Sequence, residues 1–264
     1  MVGGGIVLML IGLGLLVAYG FTRRKLVTLT VAKRRTAGEL ATSAQAIAKE
    51  LGAGGFNELV ELSGEIRCDR PLTSPLGGQT CVHYEMQVVR EYEEDYEERD
   101  SKGNTRRGTR RGSESVSSDS QNTEFTVVDN TGACGVAPSG ASFDTLVQSV
   151  SRFEPGEASR GGSVISFGSF SMQVNLGGGR RRTLGYRYKE EILPVGRRAT
   201  VIGRVDDQNG ALVVRKGEDH FIISTRTKEE LVGSAQTTSK VLSIAGGVGL
   251  FGGLVLTVIG LIKG

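Results

Sequence analysis

Cysteine and histidine are scarce in this sequence, whose 264 residues include three cysteines and two histidines. An odd number of cysteines without a C-x-x-C pair argues against a disulfide scaffold and against a structural zinc site. No G-x-S-x-G elbow occurs, so the pattern of a hydrolase triad is missing as well. Two interpretations of these residues are left. Cys68, Cys81, His83 and Cys134 form a metal site if the fold brings them together, or the cysteines are small buried apolar residues.

The sequence also lacks a large excess of either charge, and it lacks nucleotide-binding motifs. The net charge of +3 is spread over 32 basic and 29 acidic residues, so no polyanionic partner is indicated. The stretch 177–182, GGGRRR, lacks the G-K-[ST] of a P-loop and a βαβ frame, which leaves a basic hairpin loop or a lipid contact. Arg106 to Arg111 contains no interleaved aromatic residue on which a base could stack. We therefore expect no nucleic-acid partner, no small-molecule substrate and no cofactor.

Two uncharged apolar runs lie at the ends of the chain, over 2–21 and 241–262. About 20 residues with a helical rise of 1.5 Å each span the roughly 30 Å hydrocarbon core of a bilayer. The alternatives are a cleaved signal peptide for the first run and a buried core helix for the second. A signal peptide begins with a basic region, which the first run lacks. The sequence therefore predicts a membrane protein with two spans.

Basic residues follow the first span closely, and no basic side chain precedes it. By the positive-inside rule, this places the segment between the spans in the cytoplasm and both termini outside. The same basic side chains are candidates for contact with anionic lipid headgroups, and they are Arg23, Arg24, Lys25, Arg34 and Arg35.

Small residues recur every four positions in the second span and therefore share one face of the helix. Such a face allows another helix to approach closely. The partner is either the first span, which contains Gly5, Gly12 and Gly14, or a second copy of the chain or another protein. Alternatively, glycine is simply common in membrane helices. The small residues of the second span are Ala245, Gly249 and Gly253.

Three types of segment follow the first span. The juxtamembrane segment 22–57 carries an amphipathic helix over 36–51, with one apolar stripe and glycines after it. The stretch 58–90 predicts a β-hairpin whose strands are joined by the loop RPLTSPLGG. Residues 91–121 are acidic, then basic, then serine-rich, with too few apolar residues to order the segment. We predict a disordered loop in which the acidic part folds back on the basic part.

Short strand-like stretches with turn residues between them continue to residue 224. Their spacing of about ten residues is typical of a small barrel or sandwich and not of a parallel α/β sheet. The predicted fold class is a membrane protein in which two transmembrane helices flank a mainly β (α+β) soluble domain over 58–233. We expect that domain to be a small open barrel or sandwich.

Three motifs occur in a fixed order, namely SPL…C, F-x-V-x-D-x-x-G, and EEILPVG followed by V-x-G. In this order the sequence resembles the GIDE-type domain, also called BAM for "beside a membrane". That domain lies between the two membrane helices of RING E3 ubiquitin ligases of the Mulan type, and the resemblance covers most of 37–262. The signature residues are Gly64, Ser74, Pro75, Leu76, Cys81, Phe125, Asp129, Gly132, Gly196 and Gly203.

The resemblance implies a membrane-anchored domain that binds or senses a partner. In the ligases, activity comes from a cysteine- and histidine-rich RING after the second membrane helix, whereas this sequence ends at Lys263-Gly264 without zinc-ligand spacing. We therefore expect an interaction or sensing domain that is not an enzyme by itself and has no catalytic residue. The short, basic form without a RING also leads us to expect the plasma membrane of a prokaryote. The alternatives are a ligase-like component that needs a RING in trans, and an anionic-lipid-binding factor that organises the membrane.

Overall fold

The structure is a computed structural model that describes residues 2–52, 54–99, 103, 105–156, 163–174, 181–207 and 211–263. Most of the predicted basic loop over 177–182 lies outside these residues. Within them there are three helices and fifteen strands. In chain order they are α1 (Val2–Val31), β1 (Lys33–Arg34), α2 (Ala37–Leu51), β2 (Asn57–Arg67), β3 (Leu72–Thr73), β4 (Thr80–Arg99), β5 (Thr105–Asn122), β6 (Phe125–Asp129), β7 (Gly132–Val136), β8 (Ser142–Asp144), β9 (Val147–Pro155), β10 (Ser163–Phe167), β11 (Phe170–Val174), β12 (Arg181–Pro194), β13 (Arg198–Asp206), β14 (Val213–Arg215), β15 (Ile222–Ser224) and α3 (Lys228–Lys263).

The terminal helices α1 and α3 are both long and apolar enough to cross a membrane. Together with the β-rich domain between them, they confirm the predicted fold class. Each helix extends beyond its predicted span at the end next to the domain, because α1 continues to Val31 and α3 begins at Lys228. The amphipathic helix predicted over 36–51 is α2, for which Thr36 is the N-cap residue.

Helices α1 and α3 pack against each other along glycines. A Cβ atom on Gly12 would lie 2.6 Å from the backbone nitrogen of Leu250, so only glycine allows this approach. Gly249 faces Gly12, and Gly253 faces Gly5 further along the pair. The first span of the same chain is therefore the partner of this face. The face differs from the predicted one at three positions, since Ala245 is exposed, Gly246 is buried against α1 and Gly14 has no neighbour within 4 Å.

Five strands close into a small barrel in the order β2-β6-β7-β14-β13, with β13 pairing back to β2. Strands β15 and β8 continue the sheet beyond β13. The interior is apolar because alternate residues of each strand point inward. Its fully buried side chains include Leu62, Val127, Val201 and Val214. The small barrel is thus present, and the pairing of β13 with β2 closes it, whereas the sequence led us to expect an open barrel or a sandwich.

A second, five-stranded sheet contains β3, β4, β12 and β9 in this order, with β5 also pairing to β4. The hairpin β10–β11 lies over one face of it, where Tyr84, Met86 and Tyr188 form a second apolar core with Ile165. The prediction that 58–90 is one β-hairpin is wrong, because β2 belongs to the barrel and β4 to this sheet. The proline- and glycine-rich loop between them carries the chain from one sheet to the other.

The prediction of a disordered loop over 91–121 is wrong for the residues that the structure describes. Residues 80–99 and 105–122 form the antiparallel strands β4 and β5, whose far end we call the arm (93–99 and 105–111). The acidic half does lie against the basic half, with Glu93 opposite Arg111 and Glu94 opposite Arg110. Backbone pairing and these opposite charges order a segment that has little apolar surface to bury.

A third apolar core joins the membrane helices to the barrel domain. Leu29 of α1 and Leu231 of α3 are 0% and 1% exposed, and they pack with Ile202 and Ile222. The helices therefore continue past their apolar runs into the protein interior, and they hold the domain firmly instead of through a loose linker.

Candidate functional site

The loop of the first signature motif is held by a buried carboxylate. Glu190 of β12 is 1% exposed, and its oxygens accept hydrogen bonds from the N–H groups of Leu76 at 2.6 Å and Gly77 at 3.0 Å. The hydroxyl of Ser149 donates a third at 2.6 Å. Three donors compensate for the burial of one charge. The loop of the first motif and Glu190 of the third are thus a single structural unit.

Other residues of that loop also have structural partners. The buried Ser74 accepts from the N–H of Gln79 through its hydroxyl, at 3.1 Å, and from the N–H of Gly78 through its carbonyl. The carbonyl of Pro75 accepts from both the N–H and the hydroxyl of Ser169, which fixes the turn between β10 and β11. These signature residues shape the loop, and their polar groups are already engaged.

The second signature motif holds the start of α2. Asp129 accepts from the N–H groups of Ala37, Thr131 and Gly132 and from the hydroxyl of Thr131, at 2.6 to 3.1 Å. Burial alone would raise the pKa of Asp129, but these hydrogen bonds outweigh it and the pKa lies below its usual value. The hydroxyl of Thr131 accepts from the N–H of Gly38. The amino end of α2 is therefore satisfied by the protein and does not offer a free anion site.

Phe125 and three further signature glycines lie in the barrel or next to it. Phe125 is part of its core, and Gly203 leaves room for the ring of Phe221, which would lie 2.7 Å from a Cβ atom. Gly64 allows β2 to approach the carbonyl of Val128. Gly196 has a φ of 78° in the turn between β12 and β13, a backbone conformation that favours glycine.

A cleft of about 800 Å³ opens between the barrel and the starts of α2 and α3. We call it the base cleft. It brings together three signature residues that lie far apart in the chain, Gly64, Asp129 and Gly196. The other described residues that line it are Arg34, Arg35, Thr36, Glu61, Ser63, Glu65, Val128, Asn130, Thr131, Arg198, Ala199, Thr200, Thr225, Arg226, Thr227 and Glu229. None of them is a histidine or a cysteine, so the cleft offers hydroxyl, guanidinium and carboxylate groups for binding.

A buried acid organises the wall of the base cleft. Glu61 is 1% exposed, and its carboxylate lies 2.8 Å from a guanidinium nitrogen of Arg34 and 3.6 Å from Nζ of Lys228. Because Arg34 also contacts Glu229 at 2.7 Å, one network joins β1, β2 and the first turn of α3. The carboxylates raise the pKa of Arg34 further, so this guanidinium stays charged.

The structure divides the five basic residues predicted to contact lipid. Lys25 lies 2.9 Å from Asp144, and Arg35 lies 3.2 Å from Glu58, so carboxylates of the domain neutralise both, as they do Arg34. Arg23 and Arg24 are exposed, and among the described residues neither has a carboxylate within salt-bridge distance.

The cysteines and His83 are not brought together. Cys81 and Cys134 are buried in different cores, and burial raises the pKa of each thiol to about 11. All three thiols are free. The ring of His83 stacks on Phe143 with centroids 3.5 Å apart. Among the described residues, no group of three or more histidine, cysteine, aspartate or glutamate side chains is placed to hold a metal ion.

Sequence reasoning missed Glu61 and Glu190 as organising residues. For Glu190 a signal was available, because β12 alternates and places Glu190 on the same face as Tyr188 and Ile192. A charged residue in the apolar register of a strand marks a buried, partnered carboxylate. No comparable signal singles out Arg198 and Arg226, which join the base cleft only through the pairing of β13 with β2 and with β15.

Residues 93–259 match the family model GIDE, described as E3 ubiquitin ligase. The chain belongs to this family. The GIDE match runs from the arm to the second membrane helix and includes Phe125, Asp129, Gly132, Gly196 and Gly203. No curated protein and no solved structure matches the chain. The residues that match the family model thus include most of the folded domain between the two membrane helices.

Proposed function

We propose that this GIDE protein is a membrane-anchored interaction domain that performs no chemistry of its own and binds a polypeptide partner in the base cleft. The observation that carries the proposal is the firm attachment of the cleft to the membrane helices. Val31, at the end of α1, lies ten residues beyond Phe21, roughly 15 Å along the helix. The cleft begins three residues later, at Arg34. A partner bound there is held at a fixed short distance from the bilayer.

The chemistry of the cleft supports a polypeptide partner. Arg198 and Arg226 are exposed on its walls, and Glu65 and Glu229 are exposed beside them. Charges of both signs next to hydroxyl groups suit the mixed hydrogen-bonding groups of a peptide better than a single small anion.

Photo-crosslinking in intact membranes tests the proposal. Benzoylphenylalanine placed at Arg226 or Asn130 should give one discrete adduct with a partner, since both side chains are exposed at the cleft. The matched control is Val164 on β10, which is 68% exposed and does not line the cleft. Equal adducts at all three positions, or none at the cleft positions, would contradict the proposal.

A second candidate is a component of ubiquitin ligation, which the description of the matching family favours. In a reaction with ubiquitin, activating enzyme and conjugating enzyme, we expect the chain alone to form no ubiquitin chains. Chain formation would overturn the non-catalytic proposal. Ubiquitin chains that appear only when a RING protein is added would instead support a role in trans.

The proposed orientation has the domain in the cytoplasm of a prokaryote. Cys68 is a natural reporter, because it is partly exposed whereas Cys81 and Cys134 are buried. A membrane-impermeant thiol reagent should label Cys68 in inverted vesicles and not in intact cells. Labelling in intact cells would place the domain outside.

A further inference from the structure

The two membrane helices locate the headgroup layer on the chain. Helices α1 and α3 run antiparallel, and Gly12 packs against Gly249. Nine residues further along α1 is Phe21, the last residue of its apolar run, and nine residues back along α3 is Lys240. The apolar run of α3 begins at the next residue, Val241. Both helices therefore leave the apolar layer at the same level.

Two arginines lie directly above that level. Arg23 and Arg24 are exposed, and among the described residues no carboxylate lies within 4.0 Å of their guanidinium groups. The next basic residue, Lys25, differs because Asp144 neutralises it at 2.9 Å. The charges of the two arginines are therefore available to a ligand.

The barrel domain brings a loop to the same part of α1. Strand β8 runs from Ser142, whose N–H donates to the carbonyl of Phe221 at 2.8 Å, to Asp144, which binds Lys25. Two residues of strand span roughly 7 Å. His220, which precedes Phe221, therefore lies close to residues 23–25 of α1, which we call the foot of α1.

That loop, between β14 and β15, adds a third cation. Burial is the main cause of the lowered pKa of His220, and the charges of Lys216, Lys25 and Arg24 lower it further, so each of these cations lies within electrostatic reach of its ring. Lys216 is exposed, and its Nζ donates to the carbonyl of Asp219 at 2.9 Å. The carboxylate of Asp219 is instead bound by Arg204 of β13.

We propose that Arg23, Arg24 and Lys216 bind the phosphate of an anionic lipid headgroup at the foot of α1. The carboxylate of Asp219 lies 2.8 Å from Arg204, which leaves Glu218 as the exposed acid of the loop. Among these residues of the loop and the helix, three exposed cations thus stand against one exposed carboxylate, that of Glu218. A guanidinium can donate two hydrogen bonds to a phosphate, and the headgroup layer supplies phosphates at this depth. This site is independent of the partner proposed for the base cleft.

The absence of tryptophan allows a direct test in the full chain. Val27 is 55% exposed, one helical turn beyond Arg23, so Val27→Trp provides a single fluorescent donor. The protein is reconstituted in vesicles of phosphatidylcholine and phosphatidylglycerol at about 4:1, with a trace of either lipid carrying a dansyl acceptor. We expect several-fold stronger energy transfer to the labelled phosphatidylglycerol. Each basic side chain near an anionic surface contributes roughly fivefold in affinity. The double variant Arg23→Gln/Arg24→Gln should therefore lose most of this preference.

The matched control removes two arginines from the arm instead. Arg106 and Arg107 are exposed there, and Arg106→Gln/Arg107→Gln changes the net charge equally. We expect this control to keep the preference, and we expect inorganic phosphate at about 10 mM not to compete. A preference that survives the Arg23→Gln/Arg24→Gln change, or an equal loss in the arm control, would overturn the proposal. Loss of the preference in inorganic phosphate would also overturn it, in favour of a soluble phosphate ligand.

Discussion

The barrel and the arm are both antiparallel β-structure, but different forces order them. The barrel closes on itself around fully buried apolar side chains such as Leu62 and Val201. The arm has exposed arginines on one strand and glutamates on the other, with Arg111 3.1 Å from Glu93 and its side chain 78% exposed. Hydrophobic burial is insensitive to moderate salt, whereas exposed ion pairs are screened by it. The two regions should therefore respond to different perturbations.

Aromatic rings over glycines add to the register of the arm and of the residue pair next to it. The ring of Tyr92 lies over Gly112, where a Cβ atom would be 2.7 Å from it, and Tyr96 lies over Gly108 in the same way. The guanidinium of Arg181 lies 4.7 Å from the centre of the Tyr92 ring. These contacts fix which residues pair, although they bury little surface.

The largest expected effect is in the barrel. Leu62→Ala removes a side chain that is 0% exposed and leaves a cavity among neighbours that cannot collapse fully. We expect the free energy of unfolding to fall by about 3 kcal/mol, measured by urea denaturation of the full chain in detergent micelles. Leu62→Met, which keeps the volume, should cost less than about 1.5 kcal/mol. Equal losses for both variants would mean that the barrel is not closely packed at this position.

The next effect concerns Glu190, the buried carboxylate of the second, five-stranded sheet. Glu190→Ala leaves the N–H groups of Leu76 and Gly77 without an acceptor, so we expect a loss of about 2 kcal/mol in the same assay. Glu190→Gln keeps one acceptor oxygen and should lose less. If glutamine is as damaging as alanine, the charge itself and not the number of acceptors holds the loop.

Much of this architecture could be predicted from the sequence, and the failures have physical causes. The membrane helices were predictable because an uncharged run of about 20 residues has few other stable environments. The arm was not, because its order depends on pairing between residues such as Tyr96 and Gly108, which a test for apolar content does not detect. The spacing did contain a signal. Tyrosines four residues apart in 92–96 match glycines four residues apart in 108–112.

The sheet change after β2 and the base cleft were beyond local patterns. Strands β2 and β4 each alternate as a hairpin strand would, and only long-range pairing decides that β2 joins β13 instead. Arg226 and Asn130 both line the base cleft because long-range strand pairing puts β15 and β6 in one sheet, although 96 residues separate the two side chains in the chain. Motifs in the sequence identified the signature residues, but long-range strand pairing decides which other residues line the cleft beside them.

A pH effect distinguishes the buried junction between the sheets from the exposed arm. Burial is the main cause of the lowered pKa of His83, although Glu85 and the carbonyl of Gln121 favour the charged ring. As the pH decreases, the unfolded chain therefore binds a proton at His83 near pH 6.5, whereas the folded chain binds it only at a lower pH. Stability should be fully present above about pH 6.5 and fall as the pH decreases. His83→Gln should reduce this slope, and His220→Gln should keep the part that belongs to His83. An unchanged slope in His83→Gln would exclude this residue as its source.

The smallest expected effect is confined to the arm and leaves global stability nearly unchanged. Raising the salt from 0.1 to 1 M shortens the screening length from about 10 to about 3 Å, which weakens pairs such as Arg110 with Glu94 at 2.8 Å. Amide hydrogen exchange over 93–99 and 105–111 should then become several-fold faster, while exchange in β2 and β13 stays the same. Arg110→Gln/Arg111→Gln should produce the faster exchange at low salt, and salt should add little to it. Tyr96→Ala provides the matched test of the ring contacts, because it should speed exchange at both salt concentrations. If neither salt nor the double charge substitution changes the exchange rate in the arm, the ion pairs do not order it. The arm and the barrel would then differ only in how much apolar surface they bury.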